Sequence, residues 1–204
     1  MTILISILGL LSGLIFVYLF IVRPWHLHWG ATKKEIGLTL NGDNIVLNPH
    51  FNATRGITIN ASPEVIWRWI IQIGSKRAGW YSIDWVDNGG VKSSERILTE
   101  FQHIEINQFI PFTPDQENGM WVKEFLLHRY ILWVDKIGNA TWLWYLIADD
   151  DGTTRLLTRL RTKYVWKGFW FIYYLLYDIG DIIMMGKCMK GIKKRAELET
   201  AQNK

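Results

Sequence analysis

The chain has 204 residues, a single cysteine and a net charge of +4. One thiol excludes an internal disulfide, and basic residues scattered everywhere except Lys187–Arg195 exclude the dense cationic face of a nucleic-acid reader. Twelve Trp, nine Phe and eight Tyr exceed what a compact core of this length requires, which leans toward an aromatic-lined cavity for a small molecule.

Residues 1–22 carry no charged side chain and end on Arg23-Pro24-Trp25-His26. As a helix they would reach ~33 Å, against a hydrocarbon core of ~30 Å. No basic residue precedes the apolar run, and its exit is bulky throughout, so a cleaved signal peptide is disfavoured. The expectation is one transmembrane anchor over 1–22. Arg23, Lys33 and Lys34 flank it on the C-terminal side, which places the globular part in the cytoplasm by the positive-inside rule. Trp25 and Trp29 suit the water–lipid boundary.

Residues 23–52 read as a juxtamembrane segment, with a helix start at Thr32-x-x-Glu35 and a turn at Asn41-Gly42-Asp43, otherwise extended. A strand follows over 55–60. Ser62-Pro63-Glu64 opens a helix whose apolar stripe is Ile66, Trp69, Ile70 and Ile73, with Arg68 and Gln72 turned away and Gly74 ending it. A second short helix is expected over 80–88. Strands are then predicted at 105–112, 120–125, 129–134, 141–148 and 154–165, joined by short turns such as Asp149-Asp150-Asp151-Gly152. In the last strand Arg155, Arg159, Arg161 and Lys163 share one parity, expected to face water. Leu156, Thr158, Leu160, Thr162 and Tyr164 share the other, facing an interior. A long helix runs from Gly168 to Glu199, packed through Ile182, Met185, Met189 and Ile192.

Strand, helix pair, antiparallel strands and one long terminal helix is the order of a helix-grip α+β fold. Here the chain resembles the START-like superfamily of polyketide cyclase/dehydrase and lipid transport proteins (SRPBCC), and within it membrane-anchored bacterial members. The resemblance rests on Arg23-Pro24-Trp25-His26-Leu27-His28-Trp29-Gly30-Ala31-Thr32, Gly79-Trp80-Tyr81-Ser82-Ile83-Asp84-Trp85, Thr153-Thr154-Arg155-Leu156-Leu157-Thr158-Arg159 and the tail Gly191-Ile192-Lys193-Lys194-Arg195-Ala196-Glu197. It implies a helix-grip domain over 53–199, with a short tail over 200–204, in which a curved sheet wraps the terminal helix around an apolar cavity. Trp80, Tyr81 and Trp85 would then stand at the mouth, and Leu156, Thr158, Leu160 and Met185 along the wall.

Three functions are compatible with this pattern. The first is a non-enzymatic, membrane-held binder of a hydrophobic small molecule or lipid. The second is a cyclase- or dehydratase-type enzyme using Tyr81, Asp84 or Arg96 to polarise a carbonyl or move a proton. The third is a structural membrane accessory, resting on the aromatic run Trp166, Phe169, Trp170, Phe171, Tyr173, Tyr174 and Tyr177. No metal-binding, phosphate-binding or nucleophile-elbow motif is present, and His26 with His28 does not make a metal site, so neither cofactor nor metal is expected. Asp178 and Asp181 share a helix face, either as an acid–base pair or as partners of a nearby Lys or Arg.

Overall fold

A computed structural model describes residues 2–164 and 170–202. The expectations made for Val165, Trp166, Gly168 and Phe169 lie outside these residues, as do those for the side chains of Trp170, Phe171, Tyr173 and Ile182.

Helix α1 (Thr2–Val17) continues through a π-helical turn (Tyr18–Val22) into α2 (Arg23–Leu27). Pro24 lacks the N–H that would close the preceding turn, and a wider turn at that point accommodates it. The run Ile5–Leu27 has 23 residues and contains an 18-residue stretch with a mean hydropathy of 2.6, long and apolar enough to cross a membrane. Its apolar side chains are exposed along α1, but His26 and Leu27 are buried, so its last turn is seated on the domain.

Six antiparallel strands form one curved sheet in the order β1-β6-β5-β4-β3-β2. They are β1 (Phe51–Ile59), β2 (Phe109–Pro111), β3 (Gly119–Leu126), β4 (Tyr130–Val134), β5 (Ala140–Ala148) and β6 (Thr154–Thr162). β1 starts at Phe51, ahead of the expected strand, because its first residues pair with the end of β6, Phe51 opposite Thr162. The predicted strand at 105–112 is reduced to Phe109–Pro111, since Pro111 has no N–H to extend a ladder. Helices α4 (Pro63–Ile71) and α6 (Trp170–Gln202) lie on the inner face, α6 on β1 and on α4, and α4 on β5. At 33 residues α6 is about 50 Å long. This is the helix-grip architecture that the resemblance implies.

The parity of β6 holds, but its arginine face does not meet water. Residues 30–47 form a strap across it. Helix α3 (Lys33–Ile36) opens with a capping box, in which the Glu35 N–H donates to Thr32 Oγ1 and Glu35 Oε2 accepts from the Thr32 N–H. The chain then turns at 41–45 instead of extending. Arg155 pairs with Glu35, and Arg159 and Arg161 both reach Asp43. The physical reason is apolar. Leu132, Leu143 and Leu157 also point outward, and leaving them wet would forfeit about 1.5–3 kcal/mol apiece. Gly42 lies over Leu132, where a Cβ would come within 2.7 Å of its methyl. The strap also protects the sheet edge, because the Gly56 N–H donates to Trp29 O beyond the β1–β6 ladder. Gly30 makes the crossing with φ +70°, and a Cβ there would meet Gly56 O at 2.2 Å.

A second departure concerns α4. Gln72 is not turned away but fully buried. Its Nε2 donates to Tyr81 Oη and Arg96 O, and its Oε1 accepts from Leu98 N and Gln102 Nε2. One amide thereby satisfies the backbone and side chains of three loop segments, which is how a buried polar group is tolerated. Arg68 pairs with Glu199 near the end of α6. The expected second helix shrinks to α5 (Asp84–Asp87), since Tyr81 takes a left-handed conformation with φ 56°.

Tyr81 is held there on every side. Its N–H donates to Ser93 Oγ, its hydroxyl donates to Trp69 O, and the Arg195 guanidinium lies 4.4 Å from its ring centre. Its carbonyl sits against Gly191 of α6, where a Cβ would approach within 2.3 Å. Backbone cannot yield as a side-chain tip can, so Gly191→Ala is expected to destabilise the fold by about 1–3 kcal/mol despite alanine's better helix propensity. Gly186→Ala, where a Cβ meets nothing within 4 Å, is expected to be neutral or stabilising. Thermal denaturation of the two variants checks the contrast, and equal behaviour would refute it.

Candidate binding site on the inner face

Side chains two apart in a strand share a face, so Trp142 and Trp144 of β5 both point inward, and the register sets Trp133 of β4 opposite Trp142. Trp80 stacks on Trp142 at 5.8 Å between ring centres and 2° between planes. Trp144 lies 5.1 Å from Trp142, and Trp133 meets it edge-on at 5.4 Å. Phe112 adds edge contacts to both Trp80 and Trp142.

The polar atoms of this cluster are unevenly satisfied. Trp142 Nε1 donates to Thr158 Oγ1 at 2.7 Å. The indole N–H groups of Trp80, Trp133 and Trp144 are buried without a protein partner. Leaving a buried donor unpaired costs about 1–3 kcal/mol, so three on one wall are a marked departure from ordinary core chemistry.

The residues singled out from the sequence divide into three groups. Trp80, Thr158 and Leu160 meet around Trp142, with Leu160 directly opposite it in register. Leu156 is buried in the same face of β6, and Met185 is buried on α6. Tyr81 is buried with its hydroxyl engaged by Gln72 and Trp69, whereas Trp85 is 84% exposed on α5 and joins neither. Trp80, Tyr81 and Trp85 therefore do not form one rim. Trp133, Trp142 and Trp144 instead pack with Trp80 into one buried aromatic cluster, which strand parity could have identified.

Of the candidate catalytic trio, Tyr81 and Asp84 have their polar groups engaged within the fold. Burial pushes the Tyr81 hydroxyl far above its ordinary range. Asp84 accepts from Ser93 Oγ, which also holds the Tyr81 N–H, and so serves to fix the loop. Arg96 is exposed, and only its backbone enters the Gln72 network. Cys188 is buried, and burial raises its thiol above its usual range, which disfavours the thiolate. Among the described residues no group of three metal-ligating side chains occurs.

A second feature lies where α2 meets the domain. Arg55 is the one charged residue on the inner parity of β1. Its Nε donates to His26 O at 2.9 Å, and its guanidinium pairs with buried Asp181. Asp178 accepts from Arg23 at 2.7 Å and lies 3.2 Å from His26 Nε2. The two aspartates of α6 are therefore ion-pair partners, the second of the alternatives weighed above. Burial drives the Asp181 carboxyl upward against the pull of Arg55. Burial also acts on Asp178, but His26 and Arg23 outweigh it and hold that carboxyl below its usual range. Beside this network a cleft of about 210 Å³ opens between Trp25, Trp29, Ile183 and Lys190.

No protein-family model matches the chain, and no curated protein matches it. Solved structures similar to it include a conserved protein of unknown function from Enterococcus faecalis, with 16% identity, 78% of this chain and 88% of that chain covered, and a TM-score of 0.46. A Polyketide_cyc-like protein from Corynebacterium glutamicum is 15% identical over 73% of this chain and 93% of its own, with a TM-score of 0.44. A protein from Nitrosomonas europaea is 11% identical over 74% and 96%, with a TM-score of 0.45. At TM-scores below 0.5 these likenesses carry nothing about ligand or activity, and the fold stands on the chain's own strand order and terminal helix.

Proposed function

We propose that the chain is a membrane-tethered binding protein for a hydrophobic small molecule or lipid, with its globular domain on the cytoplasmic side. The observation that carries this reading is the set of three unpartnered indole N–H groups, from Trp80, Trp133 and Trp144, on an otherwise apolar wall. Such a wall suits a ligand that is mostly hydrocarbon or ring and carries a carbonyl, ester or hydroxyl oxygen as acceptor. Each indole offers a large apolar surface and one fixed donor, which orients a ligand without charge. The helix Ile5–Leu27 supports the tether, because oily ligands concentrate in the bilayer it would cross.

The test is made on the full chain in detergent after bound lipid has been stripped. Titration with a fluorescent fatty-acid or sterol probe is expected to saturate at one site. Trp133→Phe with Trp144→Phe keeps two rings and removes two donors, and is expected to weaken binding roughly tenfold or more at about 1 kcal/mol per hydrogen bond. Absence of saturable binding by either probe, together with no copurifying lipid in the mass spectrum, would refute the reading.

A further inference from the structure

We propose that the cleft at the foot of the membrane helix is a second site, specific for the anionic phosphate headgroup of a bilayer lipid and separate from the inner-face wall. Charge decides the ligand class. Asp178 and Asp181 are taken up by Arg23 and Arg55, so the carboxylates nearest the cleft are already neutralised. Lys187 and Lys190 face the same cleft with no carboxylate partner among the described residues. Two uncompensated ammonium groups beside an intact ion-pair network select an anion.

Position decides the source. His26 and Trp25 belong to the last turn of the helix long enough to cross the membrane, so the cleft lies where headgroups lie. Trp29 closes one side with its ring 5.5 Å from Lys190 Nζ, and that cation–π contact holds the ammonium over the opening. Trp25 and Ile183 are exposed at the rim, an apolar approach for acyl chains that stay in the bilayer. The volume of about 210 Å³ is below the ~300–1,000 Å³ of sites that enclose a whole drug-sized ligand, and suits a headgroup alone.

This inference rests on the tether but not on the inner-face ligand. It is tested by native mass spectrometry of the delipidated full chain in detergent, with phosphatidylglycerol and phosphatidylcholine offered in turn. Phosphatidylglycerol is expected to be retained in preference, and Lys187→Gln with Lys190→Gln to lower its retention roughly twenty-five-fold, about a fivefold effect per lysine. Lys33→Gln with Lys34→Gln removes the same charge from the strap and is expected to change nothing. Equal loss in both pairs, or equal retention of the two lipids by the wild-type chain, would overturn the site. Glycerol 3-phosphate supplies the same anion without a bilayer, and displacement of the lipid by it at matched concentration would overturn the lipid assignment. Release of the chain from membranes by an alkaline wash would instead count against the tether, and leaves the phosphatidylglycerol comparison readable.

Discussion

Arg55→Met is expected to destabilise the protein by about 3–5 kcal/mol, because it leaves Asp181 buried without its counter-charge. The guanidinium is nearly solvent-free, pairs with Asp181 and caps His26 O, so one side chain joins α2, β1 and α6. Methionine fills similar volume but satisfies neither acceptor. Thermal denaturation of the full chain in detergent should show a drop of roughly 6–20 °C, at ~2–4 °C per kcal/mol for a domain of this size. The defect has a pH signature. Burial already drives the Asp181 carboxyl upward, and losing Arg55 drives it further. An acid whose folded pKa lies above its unfolded one binds the proton more tightly when folded. Stability therefore falls as pH rises from the unfolded value through the folded one, and the variant should be closest to wild type in acid. Adding Asp181→Leu is expected to recover most of the loss, since a buried pair replaced by apolar residues is often neutral. A single variant as stable as wild type at neutral pH, or a double variant no better than the single, would refute this account.

Arg55 also shows what the sequence discloses and what it conceals. The element order was readable from local signals: short apolar runs for β4 and β5 bounded by turn residues, the alternation of β6, and the Ser62-Pro63-Glu64 helix start. The strap was not. Arg155, Arg159 and Arg161 on one parity read as a wet face, and the contrary signal lay in Leu132, Leu143 and Leu157, which share that face. Three leucines on an outward parity require a cover, but which segment supplies it is decided by tertiary packing alone. Arg55 is the mirror case: one charge among Ala53, Ile57 and Ile59 demands a buried counter-charge, and Asp181 was visible only as a member of a helix face. Gln72 deceived for a different reason. A helix stripe tells which residues meet the sheet but not which loops return over the opposite side. Of the aromatic cluster on the inner face, Trp80, Thr158 and Leu160 are legible from strand parity and the loop motif, whereas the orphaned donors of Trp133 and Trp144 depend on which acceptors the fold leaves out of reach.

The strap yields the second large effect. Arg159 uses its whole fork: Nε donates to Thr54 Oγ1, one terminal nitrogen to Leu38 O and Asp43, and the other to Glu35 O and Ile36 O. Three carbonyls and a carboxylate converge on one cation that is 4% exposed. Arg159→Leu strips all of them at once; Asp43 keeps Arg161, but three carbonyls lose their donor at about 1–3 kcal/mol each, so a total cost of at least about 3 kcal/mol is expected. Arg159→Lys keeps the charge but not the planar fork, so it should pair with Asp43 and leave carbonyls unmet, at a cost of about 1–3 kcal/mol. The location of the damage separates a clasp from a general contribution to the core. If the strap is held chiefly by this residue, limited proteolysis should cut between residues 38 and 47 in Arg159→Leu before the sheet unfolds, and exposed Leu132, Leu143 and Leu157 should bind a hydrophobic dye. Cleavage appearing only with global unfolding would mean that the capping box and the Gly56–Trp29 edge contact hold the strap by themselves. The order Leu, then Lys, then wild type in protease resistance is what a guanidinium clasp requires, because charge alone cannot reach three carbonyls and a carboxylate.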